Sequence, residues 1–166
     1  FINRSNKFTN GPKVKEFEKK WSKWVGAKYS TFVNSGSSAN LISINILKEL
    51  NRNKREIILP AFTWSSDVVS VINSGFKPIF VDINLENLAL KEELVKKKIN
   101  KNTLAIFLTH AMGYIGLSKK FIKLIKDKKI YLVEDVCESH GAKLGNKKAG
   151  TFGVMSNFSF YYGHHM

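Results

Sequence analysis

Cysteine is nearly absent: Cys137 is the only one in 166 residues. A single thiol excludes an internal disulfide framework and fits a reducing compartment, so the cytoplasm is the expected location. Long apolar runs are missing too. No stretch approaches the ~20 residues needed to cross a bilayer, and no charged-then-apolar leader opens the sequence. Acidic residues are few, 13 Asp plus Glu against 27 Lys plus Arg, for a net charge of +14. Concentrated on one face, that excess would suit nucleic acid or acidic lipid. It is spread instead over Lys19, Lys20 and Lys23, over Lys96, Lys97 and Lys98, and over the lysines between 119 and 129, beside separate predicted helices. Neither a nucleic acid nor a membrane is expected as a partner, and no signature of a DNA- or RNA-binding module is found. The P-loop and dinucleotide glycine patterns are also missing. His164-His165 has no Cys or His companions at zinc spacing, so no metal site is expected.

What is present is a soluble composition, 43% hydrophobic with 12% aromatic residues, enough for one domain with a substantial core. Val14, Phe17, Trp21, Trp24 and Val25 recur at helical spacing, predicting an amphipathic helix over 13–25 that ends at Gly26. A short strand is expected at 29–33. A helix then follows residue 40; its apolar residues Leu41, Ile42, Ile44, Ile46, Leu47 and Leu50 cover most of its circumference, so it is expected to be buried. From there strands at 56–60, 78–82, 103–109 and 130–135 alternate with helices at 68–73, 90–99 and 119–128. A glycine-rich, linker-like tract at 141–153 leads to a final strand at 157–161. Alternation with short connections predicts a mainly parallel sheet in a three-layer α/β/α domain. A chain opening on Phe1 and closing on Met166, directly after an apolar-aromatic run, reads as a fragment.

In open parallel sheets ligands gather outside the carboxyl ends of the strands. The strand at 130–135 ends on Glu134-Asp135, so one of these acids is expected at a ligand, although both also suit a helix N-terminus. Asn34-Ser35-Gly36-Ser37-Ser38-Ala39 precedes a helix, where free N–H groups favour an anion such as phosphate; an ordinary serine N-cap is the plainer reading. Trp64 follows the strand at 56–60 and could cover a flat ring, or simply pack in the core. His110 and His140 read as hydrogen-bonded structural histidines.

In their order these pieces resemble the DegT/DnrJ/EryC1/StrS sugar aminotransferases, fold type I pyridoxal-phosphate (PLP) enzymes. The 34–39 turn is similar to the family's phosphate turn, and Leu59-Pro60-Ala61-Phe62-Thr63-Trp64 to the turn carrying its ring-stacking residue. Val133-Glu134-Asp135-Val136-Cys137-Glu138-Ser139-His140-Gly141-Ala142 resembles its Glu-Asp-Ala-Ala-Gln-Ala-His-Gly-Ala segment. Phe158-Ser159-Phe160-Tyr161 resembles the run that leads to its cofactor-linking lysine. That lysine position, six residues after Phe158, holds His164, and the usual Gln three after the Asp is Glu138. Both changes resemble the branch that removes the 3-hydroxyl of a nucleotide-linked 4-keto-6-deoxy sugar.

The resemblance implies an aspartate-aminotransferase-type large domain, with residues 1–166 its N-terminal part and the C-terminal small domain outside this chain. It implies PLP or pyridoxamine phosphate (PMP) as cofactor, glutamate as amino donor and a homodimer in full-length form. It implies Gly36, Ser37 and Ser159 at the phosphate, Trp64 over the ring, Asp135 at the pyridine nitrogen, Glu138 near the ring hydroxyl, and His164 rather than His165 as catalytic base. Two alternatives stay open: a PLP-dependent sugar-nucleotide aminotransferase or a degenerate copy of one, and a non-catalytic sugar-nucleotide-binding α/β domain.

Overall fold

The computed structural model describes residues 9–164. Helix α1 (Pro12–Val25) begins with proline at its first turn, where no intrahelical N–H is needed, and ends at Gly26, whose left-handed φ of 93° closes the helix onto the Ser22 carbonyl. Helix α2 (Gly36–Leu50) is capped by Ser35, whose hydroxyl accepts the Ser38 N–H at 3.1 Å. Strand β1 (Glu56–Pro60), helix α3 (Ser65–Asn73), strand β2 (Lys77–Val81), helix α4 (Glu92–Lys98), strand β3 (Thr103–Thr109), helix α5 (Lys119–Asp127) and strand β4 (Tyr131–Asp135) then alternate. A hairpin of β5 (Lys143–Leu144) and β6 (Lys147–Lys148) precedes the last strand, β7 (Met155–Asn157). The main sheet has the order β2-β1-β3-β4-β7, with every pairing parallel.

Side chains alternate across a strand, and here both faces are covered. Ile57, Leu59, Phe107 and Val133 meet Ile44 and Leu47 of α2 and Val71 of α3. Ile58, Ile106, Leu108 and Leu132 meet Val95 of α4 and Phe121 and Ile125 of α5. The result is the expected α/β/α sandwich. After β1 the chain places β2 on one side of it and β3 on the other, and this reversal opens a crevice at the C-terminal edge of the sheet.

Four expectations are corrected. Residues 29–33 form no strand: Glu18 of α1 takes the Phe32 N–H with its carboxylate at 2.8 Å and the Ser30 hydroxyl with its carbonyl at 2.5 Å, so α1 rather than a sheet edge holds this segment. The last strand is 155–157, not 157–161. Beyond Asn157, Phe158 and Phe160 leave the sheet to pack edge-on against Trp21, with ring centroids 5.2 and 4.6 Å away. Helix α2 is not buried all round, because Asn40, Ser43, Ile44 and Leu47 face inward while Leu41, Ile42, Ile46 and Leu50 are exposed. The tract at 141–153 is no slack linker, since it carries the β5–β6 hairpin and its Gly150, Phe152 and Gly153 N–H groups all bind Glu134.

Candidate active site

The C-terminal edge collects polar residues from five segments. β3 and β4 pair Thr109 with Asp135, and β4 and β7 pair Asp135 with Asn157, so these three side chains emerge in a row. They lie on the α2/α3 face, the one to which Val133 and Phe107 also point. Asp135 is buried, and its Oδ1 accepts the Cys137 N–H at 2.9 Å. Glu134, one residue earlier, faces the other way. It is fully buried against His110, whose Nε2 lies 3.0 Å from Oε2, and it accepts three N–H groups from the 150–153 loop at 2.7 to 2.8 Å. Burial would raise its pKa, but the hydrogen bonds from His110, Gly150 and Gly153 outweigh that and hold it below the usual range. Of the two acids that end β4, Glu134 is therefore structural. His110 is its partner, and His110 Nδ1 accepts the Gly116 N–H at 2.9 Å.

One residue that sequence reasoning passed over stands at the centre. Asp67, in the first turn of α3, is fully buried and in hydrogen-bonding contact with Asp135. Thr63 and Thr109 hydroxyls reach its Oδ2 at 2.5 and 3.0 Å, and Asn40 Nδ2 donates to its Oδ1 at 2.6 Å. Burial first, then the charge of Asp135, push its carboxyl well above the ordinary carboxylate range. The available signal was an acid facing the apolar side of a short helix, which reads equally well as a dipole-compensating surface residue.

The other predicted residues surround this pair. At the start of α2 the Ser35 hydroxyl takes the Ser38 N–H and its carbonyl takes that of Ala39, so the N–H groups of Gly36 and Ser37 point out of the helix end. A Cβ placed on Gly36 would lie 3.6 Å from Cys137 Sγ and 3.9 Å from Ser159 Cβ, so these three residues touch. A cleft of about 430 Å³ between α1 and the 156–161 segment opens onto Gly36 and Ser159. Trp64, at the N-cap of α3, is 48% exposed and free to present its ring. His164 lies with its ring centroid 6.2 Å from that of Trp64, and its Nδ1 is buried without a hydrogen-bond partner among the described residues. Glu138 turns its carboxylate to the Met112 N–H at 3.2 Å. His140 is surrounded by the rings of Trp21, Phe158 and Phe160. His165, the alternative base, lies outside the described residues. Among those residues no group of three His, Cys, Asp or Glu is placed to hold a metal, and no helix is long and apolar enough to cross a membrane.

A model of the DegT/DnrJ/EryC1/StrS aminotransferase family matches residues 2–166. The chain belongs to this family. Within it, the chain is similar to a GDP-4-keto-6-deoxy-D-mannose 3-dehydratase from Yersinia pseudotuberculosis, 37% identical over 98% of this chain and 42% of the relative. The E. coli enzyme of that name, solved with bound hydrated PLP, superposes with a TM-score of 0.93 at 37% identity, covering 99% of this chain and 43% of the other. A further structure of a GDP-4-keto-6-deoxymannose-3-dehydratase, in which PLP and glutamate are trapped together, gives the same TM-score of 0.93 at 37% identity, over 99% of this chain and 44% of that one. The sandwich is thus that of the PLP-dependent aminotransferases, and the chain spans under half the length of these DegT/DnrJ/EryC1/StrS relatives.

Proposed function

We propose that the whole protein is a PMP/PLP-dependent 3-dehydratase acting on a nucleotide-linked 4-keto-6-deoxy sugar, in the synthesis of a deoxysugar for a surface polysaccharide. The observation that carries this reading is His164, an imidazole beside Trp64 at the position where the resemblance expects a lysine. A lysine would bind the cofactor covalently and carry its proton through a full transamination. An imidazole can only accept and return a proton, which it does near neutral pH.

The residues at the edge fit the cofactor. The outward N–H groups of Gly36 and Ser37, at the positive end of α2, and the Ser159 hydroxyl would hold its phosphate. Trp64 would cover one face of the ring, and the Asp135 carboxylate would accept the pyridine N–H. Glu138 would stand by the ring hydroxyl; its hydrogen bond with the Met112 N–H ties it to the loop after β3. Bound there, PMP would supply an amine for a sugar C4 ketone and a protonated ring as electron sink. His164, whose buried Nδ1 has no hydrogen-bond partner among the described residues, would remove a proton on the C4′ side and return one to the departing 3-hydroxyl. Glutamate, as amino donor, supplies the two electrons that replacing a hydroxyl by hydrogen requires.

Residues 1–166 would form the N-terminal part of the cofactor-binding domain, with the small domain following. The exposed apolar side chains Ile42, Ile46, Val69 and Ile72 on α2 and α3 support burial against further protein, including the second subunit of a homodimer. A cytoplasmic location agrees with the lone thiol, Cys137.

The test is to incubate the full-length protein with PMP, glutamate and a GDP-linked 4-keto-6-deoxyhexose. A 3-deoxy-4-keto sugar is expected, and it should be lost in His164→Asn. A 4-amino sugar as main product, or full activity in His164→Asn, would favour ordinary transamination or another base.

A further inference from the structure

Two carboxyl groups touch at the C-terminal edge, yet only Asp135 has a task in the function proposed above. Asp67 is as deeply buried, at 0% exposure. Its Oδ2 lies 2.5 Å from Thr63 Oγ1 and 3.0 Å from Thr109 Oγ1, and those two hydroxyl oxygens are 2.7 Å apart. Three oxygens thus make three contacts among themselves, and the contact with Asp135 is a fourth. The two hydroxyls supply two protons to these four contacts. A proton on the Asp67 carboxyl supplies a third.

Among the described residues, no positive charge faces Asp67 to hold a second anion. The titratable groups facing Asp67 are Asp135 on β4 and the Cys137 thiol just beyond it, itself pushed up by burial first and by Asp135 second. α2 presents an amide, Asn40, and the turn before α3 presents the Thr63 hydroxyl. Asn40 Oδ1 accepts from Asn157 Nδ2 at 2.8 Å, and Asn157 Oδ1 accepts from Ser43 Oγ at 2.8 Å. A relay of neutral groups therefore locks Asp67 from behind. Two adjacent buried carboxylates cannot both ionise without a counter-charge.

We propose that Asp67 is a positioning residue that stays a neutral carboxylic acid in the folded protein, so that the Asp67–Asp135 pair carries one negative charge, held on Asp135. This rests on reading Asp135 as the partner of the cofactor's pyridine nitrogen. A neutral, hydrogen-bonded neighbour orients the Asp135 carboxylate without diluting its attraction for that nitrogen or adding repulsion behind it. Asp135 keeps the Cys137 N–H on one oxygen. Four segments meet at Asp67, so it also ties the start of α3 to α2, β3 and β4.

Infrared spectroscopy of the full-length protein, with and without PLP, tests this through the carbonyl band of a protonated carboxylic acid. At neutral pH the wild type shows such a band, and Asp67→Asn loses it. In Asp135→Asn, where the neighbouring charge is gone, the band titrates away at a pH lower by about one unit, a roughly tenfold change in proton concentration. No Asp67 band at neutral pH, or an unchanged titration in Asp135→Asn, overturns the proposal. If Asp67→Asn does not fold, aspartate labelled with carbon-13 assigns the band in wild type and Asp135→Asn alone.

The positioning role has its own readout, the pH midpoint of the ring-protonation change in the absorbance of bound PLP. Asp67→Ala moves that midpoint by about tenfold in proton concentration, and Asp67→Asn restores it. An unmoved midpoint in Asp67→Ala refutes positioning. A protein that takes up no PLP refutes the function proposed above, while the infrared titration of the cofactor-free protein still decides the state of Asp67.

Discussion

His110 Nε2 and Glu134 Oε2 lie 3.0 Å apart with no exposure of either side chain. Because His110 Nδ1 accepts the Gly116 N–H, the proton of a neutral imidazole resides on Nε2 and is donated to the carboxylate. Glu134 thereby joins β3, β4 and the 150–153 loop that leads into β7. Replacing it by Gln removes the charge and forces an amide donor against four incoming donors. Breaking a buried charged network of this kind costs about 3 to 5 kcal/mol. Equilibrium urea unfolding of Glu134→Gln should show that loss. The native pKa of Glu134 is lowered, so its contribution is full above the ordinary glutamate range and disappears as pH falls through the native value. Wild type should lose stability across that acid window, and the variant should lose less.

Gly153 admits no side chain. A Cβ there would overlap the backbone carbonyl of Leu132 on β4, which cannot move without opening the sheet. The Gly153 N–H also reaches Glu134 Oε1 at 2.7 Å. Gly153→Ala should cost about 3 kcal/mol or more in an unfolding titration. It should also weaken cofactor uptake, because β7 leads directly to Ser159.

Asp67 links stability to pH with the opposite sign. Its native pKa is raised above the unfolded value, so the folded state is favoured by its proton at low pH and loses that advantage as pH rises. The loss begins at the ordinary aspartate value of about 3.9 and continues up through the native value. Asp67→Asn has no such titration. The stability of the variant relative to wild type should therefore improve steadily across this window and level off above it, as measured by urea midpoints at a series of pH values. A difference independent of pH would contradict the buried neutral acid.

Asp135→Asn keeps the shape of the side chain but removes its charge. Cofactor uptake should remain measurable, while turnover falls by about two orders of magnitude or more, a loss of about 2.7 kcal/mol of transition-state stabilisation. Trp64→Ala should do the reverse, weakening PLP uptake several-fold through lost ring contact with less effect on the chemical step. A fluorescence titration beside product formation separates the two.

The alternation of apolar strands and helices was legible because each element repeats a short period: Ile57 and Leu59 against Ile58, or Phe121 and Ile125 at helical spacing. The motif residues were legible because they occupy strand ends and helix starts, where the chain must turn and where Gly36, Trp64 and Asp135 stand out chemically. Segments held by side chains remote in sequence were not. Residues 29–33 look like a strand until Glu18 captures them, and 158–161 look like one until Phe158 and Phe160 find Trp21. The outer half of α2 is apolar in sequence and exposed in the fold, because hydrophobicity does not say which neighbour covers it.

The sequence by itself determined the layered α/β architecture, the family and the order in which candidate site residues arrive, since local periodicity and motif spacing are carried by neighbouring residues. Only the tertiary structure put Glu134 among His110 and the 150–153 loop and Asp135 beside Asp67, because adjacent strand residues face opposite layers and the layers are built from distant helices. It alone brought Asp67 against Asp135, through contacts from α2, α3, β3 and β4 that no spacing along the chain encodes.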